Sequence, residues 1–171
     1  MAERKGVVVV RGNPLTLLGN ELKVGDTAPD FQVLDHELKP VNLSAFRGKI
    51  VIITSVMSLD TLVCDLETKR FNTEAKRLGK DVAVLTISMD LPFAQKRWRD
   101  ETASKDVHVY SDHKDGSFGS AYGVLIKELR LLARTVFIID RKGKISYIQY
   151  VKETTDEPDY DDILEGIKKV V

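Results

Sequence analysis

Cys64, in the segment SLDTLVCDLETKRF, is the only cysteine among 171 residues, and it is the residue best suited to nucleophilic chemistry. A single thiol cannot form a disulfide within the chain. It also excludes zinc-ribbon and iron–sulfur sites, which need several thiolates. The residues around it place it just after an apolar strand, in the first turn of a helix. Backbone N–H groups there have no internal partner, and the helix dipole adds positive potential, so an anionic sulfur is favoured. Thr61, three residues earlier, and Thr68, four later, project to nearly the same side, which lets Thr61 place a hydroxyl beside the sulfur. Asp65 and Glu67 act in the opposite sense, as like charges near a thiolate. The spacing also leaves a structural reading open, because Cys64 shares its arc with Phe71 and Ala75, where a small buried hydrophobe belongs.

Other side chains with chemical potential form no comparable group. His36, His108 and His113 are scattered without metal-ligand spacing and are expected on the surface or in loops, and no metal or cofactor is expected. Lys127, Arg130 and Arg134 in KELRLLAR form a basic group expected of a solvated loop. Trp98 and Phe93 are expected to pack in the core or at a dimer interface. Gly116-Ser117-Phe118-Gly119 lacks the preceding strand and following helix of a phosphate-binding loop.

The elements that must position Cys64 follow from hydrophobic patterning. Val7–Val10 and Leu15–Leu18 flank Gly12-Asn13-Pro14 and predict an N-terminal hairpin. Phe31–Leu34 predicts a short strand, and Asn42 to Phe46 a helical turn. Ile50–Thr54 and Val82–Ser88 are continuous apolar runs, as in strands covered on both faces. A helix is expected from Asp60 to Leu78, stopped by Gly79. Pro92 opens a second helix, and Val107–Tyr110 predicts a third central strand. Ser117–Tyr122 predicts a short helix. Val136–Asp140 and Ile145–Val151, around Arg141-Lys142-Gly143-Lys144, predict a hairpin. Tyr160, Ile163, Leu164, Ile167 and Val171 recur at helical spacing. This alternation implies a three-layer α/β fold with a mixed central sheet, thioredoxin-like, with an N-terminal hairpin extension. No linker or repeat interrupts it, so residues 1–171 are expected to form one domain.

Composition narrows the function classes. Lysine plus arginine and aspartate plus glutamate each number 26, giving zero formal net charge. That argues against a nucleic-acid binder working through bulk electrostatics. The apolar run Val7–Val10 is too short for a signal-peptide core, and no stretch has the length to span a bilayer. A cytoplasmic enzyme or binding domain is expected.

The segments SLDTLVCDLETKRFN, SMDLPFAQKRW, SDHKDGSFG, AYGVLIKELRLLAR and TDEPDY, which together span essentially the whole chain, resemble the thiol peroxidase subfamily of peroxiredoxins. The resemblance implies a thioredoxin-like fold, a homodimer, and reduction of hydrogen peroxide and alkyl hydroperoxides with thioredoxin or another external thiol as reductant. The subfamily motif P-x-x-x-T-x-x-C and its distant arginine map onto Thr61, Cys64 and Arg134. These imply a nucleophilic Cys64 that becomes a sulfenic acid, a polarising hydroxyl on Thr61, and a guanidinium on Arg134 that stabilises charge.

Two departures from the pattern stand out. Met57 occupies the motif proline, and Leu62 a proline often found two residues before the cysteine. Met57 is longer, flexible and oxidisable, so a perturbed pocket and weakened activity are expected. The resolving cysteine that usually follows KRW is replaced by Arg99. Three readings are compatible with that: a one-cysteine peroxidase regenerated by an outside thiol, a resolving site altered by engineering, or a degenerate member. A non-catalytic peroxide sensor or binding protein is the alternative class.

Overall fold

A computed structural model describes all 171 residues. The chain opens with a hairpin, β1 (Glu3–Val10) and β2 (Asn13–Leu18). Its turn falls on Arg11 and Gly12, with φ of 48° and 78°. Two successive left-handed residues match the twist of a tight hairpin, so Asn13 and Pro14 belong to the strand rather than to the expected turn. β3 (Gln32–Leu34), β4 (Pro40–Asn42) and a 3-10 turn (Leu43–Phe46) lead to β5 (Ile50–Ser55).

Then follow α1 (Leu62–Leu78), β6 (Val82–Ser88), α2 (Pro92–Thr102), β7 (His108–Ser111) and the short α3 (Ser117–Ala121). The chain closes with β8 (Leu125–Ile126), β9 (Thr135–Ile139), β10 (Ile145–Tyr150) and α4 (Tyr160–Lys168). Seven strands form the central sheet in the order β10-β9-β5-β6-β7-β3-β4, and β1-β2-β8 form a small second sheet. β5, β6 and β7 run parallel, whereas β9 is antiparallel to β5 and β10 to β9. This is the thioredoxin-like α/β fold with a mixed sheet.

Strand periodicity divides the core into two layers, because successive side chains point to opposite faces. Val51 and Ile53, with Leu85, Ile87 and Phe137, pack beneath the hairpin and α3. Ile50 and Ile52, with Val84, Val109 and Ile138, pack beneath Cys64, Phe71 and Ala75 of α1, Trp98 of α2, and Ile163 and Ile167 of α4. Every residue of β5 is buried, and each fully buried Val or Ile contributes about 1.5–3 kcal/mol. The continuous apolar runs are therefore what places helices on both faces.

This topology sets the site. β9 begins where β5 ends, with Thr135 opposite Ser55. Arg134 therefore lies at the end of the parallel strands from which the chain departs toward α1.

Candidate active site

α1 begins at Leu62, two residues later than expected. Ser58 explains the delay, since its hydroxyl accepts from the Asp60 N–H at 3.1 Å and its carbonyl from the Thr61 N–H at 3.1 Å. Asp90, at the end of β6, holds this loop by accepting from the Ser58 hydroxyl at 2.6 Å and the Leu59 N–H at 2.9 Å. Thr61 is the residue preceding the helix, extended at φ −91° and ψ 145°. Cys64 follows in the first turn with 0% of its surface exposed, on the same buried arc as Phe71 and Ala75.

Arg134 reaches this sulfur from the sheet. Its Nη2 donates to Cys64 Sγ at 3.3 Å and to the Thr154 carbonyl at 3.0 Å, and its Nε donates to the same carbonyl at 3.3 Å. Nη1 donates to Glu67 Oε2. The planar guanidinium thus serves a sulfur, a carbonyl and a carboxylate at once, which a lysine could not. Arg134 is 1% exposed and bonded to Cys64, so the solvated-loop reading of KELRLLAR does not hold for it. Lys127 and Arg130 do remain exposed, but Arg134 is carried inward by β9. Burial works to lower its affinity for the proton, yet the charges of Glu67 and Cys64 outweigh it and the net shift is upward.

The other predicted residues distribute unevenly. Thr61 is exposed, and its hydroxyl donates to the Ser58 carbonyl at 2.9 Å. With that proton engaged, its oxygen is left to accept. Thr68 turns its hydroxyl back to the Cys64 carbonyl at 2.8 Å, bracing the first turn. Asp65 does not face the sulfur uncompensated: the Trp98 indole N–H donates to it at 2.8 Å, and Lys69 pairs with it at 2.8 Å. Met57 is half-buried and packs against the apolar cluster that contains Cys64, whereas Leu62 is 73% exposed and points away. Of the two proline departures, Met57 is the one that touches the sulfur's surroundings. Arg99 lines a separate cleft with His36, His108 and Tyr110. Its neighbour Trp98 is the residue that contacts α1.

Two participants escaped the sequence reading. Glu67 was read only as a repelling charge, yet it is fully buried and bonded to Arg134. Burial pushes its carboxyl up to about 7, against the pull of the guanidinium. Its placement three residues after Cys64, as the one charged position on a core-facing arc, was the available signal. Thr154 contributes only its carbonyl, so no side-chain pattern could announce it. The N-terminal hairpin fixes that carbonyl from a distance, because Thr154 N–H donates to the Val9 carbonyl at 2.9 Å and Val9 N–H to the Lys152 carbonyl at 2.7 Å.

The site thus joins a buried thiol at a helix start to a guanidinium that donates to its sulfur. Comparison with known proteins identifies the family. The Redoxin family profile matches residues 23–164. Thiol peroxidase from Halalkalibacterium halodurans is 52% identical over 161 residues, covering 94% of this chain and 96% of that protein. Thiol peroxidase from Bacillus subtilis is 52% identical over 164 residues, covering 96% and 98%. The crystal structure of a peroxiredoxin-like protein from Aquifex aeolicus superposes with a TM-score of 0.90 at 42% identity, covering 98% of each chain. With the fold, the buried thiol and these matches in agreement, the chain belongs to the Redoxin family and, within it, to the thiol peroxidases of the peroxiredoxin group.

Proposed function

We propose that the protein is a thiol-dependent peroxidase that reduces hydrogen peroxide and alkyl hydroperoxides through Cys64. The observation that carries this reading is the 3.3 Å approach of Arg134 Nη2 to Cys64 Sγ inside a dry core at a helix start. In the proposed step the Cys64 thiolate attacks the terminal oxygen of the peroxide. The S–O bond forms as the O–O bond breaks, and the departing alkoxide takes a proton to become the alcohol. Arg134 stabilises negative charge as it moves from sulfur to oxygen. Thr61, with its own proton given to Ser58, accepts from the peroxide O–H and orients it.

Turnover then depends on an outside thiol, because Cys64 is the only cysteine. A first thiol condenses with the sulfenic acid, releasing water and leaving a mixed disulfide. A second thiol, or the second sulfur of a thioredoxin, releases Cys64 and carries away the disulfide. A cytoplasmic setting, where such reductants are abundant, suits this cycle. The homodimer implied by the resemblance has support in Leu62, Leu66, Leu91 and Phe93, which are exposed near the beginnings of α1 and α2. The Arg97–Asp60 pair at 3.3 Å and the Trp98–Asp65 bond tie the start of α1 to the second half of α2.

Mass spectrometry after one equivalent of peroxide tests the first step. One added oxygen at Cys64, trapped by a sulfenic-acid reagent and absent in Cys64→Ser, is expected. No adduct at Cys64 excludes peroxidatic chemistry. Arg99 at the resolving position favours one second reading, a peroxide sensor that oxidises once. Multiple turnovers with thioredoxin or a small thiol support the enzyme, and a single oxidation event supports the sensor.

A further inference from the structure

Arg134 is one cation shared by two groups that can each carry a negative charge. Cys64 and Glu67 are both 0% exposed, three residues apart on one face of α1, and they take opposite ends of the same guanidinium. Two further N–H groups go to the Thr154 carbonyl, which is neutral. Glu67 Oε1 is buried without any hydrogen-bond partner, so the carboxylate is anchored on one oxygen only. An unbalanced charge in a dry interior is strongly disfavoured. With Cys64 and Glu67 both ionised, the enclosure would carry one negative charge in excess of Arg134.

We propose that Glu67 is a positioning residue that holds a proton whenever Cys64 is the thiolate, so that Arg134 balances a single anion that alternates between sulfur and carboxylate. The transfer is Cys64–SH with Glu67–COO⁻ going to Cys64–S⁻ with Glu67–COOH. Its catalytic meaning rests on the peroxidase reading. Attack on a hydroperoxide converts thiolate, Glu67–COOH and ROOH into sulfenic acid, Glu67–COO⁻ and ROH, with atoms and charge conserved. Arg134 then turns from the neutral sulfenic acid to the restored carboxylate.

Apart from Arg134, the surroundings of Glu67 favour its neutral form. Burial, helped by like charge from Glu157 ahead of α4, outweighs the pull of Arg134 and pushes the carboxyl up to about 7. Tyr160 of α4 donates its hydroxyl to Glu157 at 3.0 Å and carries Arg70 over its ring at 4.2 Å, so Arg70 is engaged there. On α1 itself, Asp65 is satisfied by Trp98 and Lys69. Arg134 is the single cation bonded to Glu67, and it already serves the sulfur. Protons in such a pair are released in steps that belong to both groups together.

The test compares full-length protein with Glu67→Gln, which keeps the volume and an acceptor for Arg134 but removes the competing charge. The readout is the pH–rate profile of Cys64 alkylation by iodoacetamide, which requires no peroxide. Near pH 5.5, where Glu67 keeps its proton, the two proteins are expected to alkylate at equal rates, and between pH 7 and 8, where the unmutated pair divides its single anion between sulfur and carboxylate, the variant is expected to be roughly tenfold faster. A carboxylate ionised throughout would oppose the thiolate at every pH, so the variant would be faster at pH 5.5 as well, and that result, or equal rates at every pH, overturns the proposal. Infrared difference spectra of the unmutated protein give a second measurement that does not depend on the variant folding. At pH 8, above the range in which burial alone keeps Glu67 protonated, a protonated-carboxyl band present with free Cys64 should vanish when Cys64 is capped by a neutral alkyl group. Persistence of the band, or its absence from the start, overturns the proposal. A shifted profile with no peroxide oxidation would instead sink the peroxidase reading and keep the charge-sharing pair.

Discussion

At the scale of single residues, Met57 stands where the resemblance leads one to expect a proline, packed on the cluster that holds Cys64. A proline there would fix the backbone and present a rigid ring. Methionine brings three rotatable bonds and a sulfur that peroxide oxidises, and it packs on the cluster holding Cys64. Met57→Pro is therefore expected to speed peroxide consumption by about fivefold, equivalent to about 1 kcal/mol off the barrier. Equal rates in a peroxide-consumption assay would mean that methionine fills the pocket as well as proline does. Cys64 was legible as a candidate because a helix start and an uncommon residue type are both local facts. Its position among core residues was legible too, from the arc it shares with Phe71 and Ala75. The partnership with Arg134 was not: 70 residues separate the two, and the charge-rich KELRLLAR segment reads as solvent-facing until β9 carries it inward. The motif resemblance supplied Arg134, whereas Glu67 and the Thr154 carbonyl had no motif to supply them.

At the scale of elements, β5 and β6 were legible because a strand buried on both faces needs an unbroken apolar run. β8 was not, since its two residues form a strand only by pairing with Leu17 and Leu18 of β2. β4 likewise exists through its register with β3. The relation of α2 to α1 matters most for function. Trp98 bonds Asp65, next to Cys64 in sequence, so position 99 lies one residue from the contact between the helices. Cys64 itself is buried under α1, so a disulfide from position 99 requires the first turn of α1 to unwind. At its start that turn has no side-chain cap bond from Thr61 to hold it. Arg99→Cys is expected to form an internal disulfide, and Ellman titration after one equivalent of peroxide should find no free thiol. Two free thiols would mean that the resolving position lies elsewhere.

At the scale of the whole molecule, the buried carboxyl groups tie stability to pH. Glu67 moves from an ordinary 4.5 up to about 7, and Asp112 from 3.8 up to about 6, both chiefly through burial. Asp112 accepts from the Phe118 and Gly119 N–H groups at 3.0 and 2.8 Å, and these oppose its shift without cancelling it. A carboxyl raised on folding keeps a proton that the unfolded chain has already lost. Its contribution is therefore complete below the unfolded value and disappears as pH rises through the folded one. For Glu67 that window runs from 4.5 to about 7, and at 1.36 kcal/mol per pH unit it amounts to roughly 3 kcal/mol. His36 and His108 work in the opposite direction, since burial lowers both. Their contribution is complete above the ordinary histidine value and is lost as pH falls. The net curve mixes these signs, so the difference between the protein and Glu67→Gln isolates one group. Urea unfolding of both, in steps from pH 4.5 to 8 with reductant present, should show the advantage of the unmutated chain shrinking steadily as pH rises. A difference independent of pH would mean that Glu67 is ionised throughout this range in the folded protein and holds no proton to exchange with Cys64.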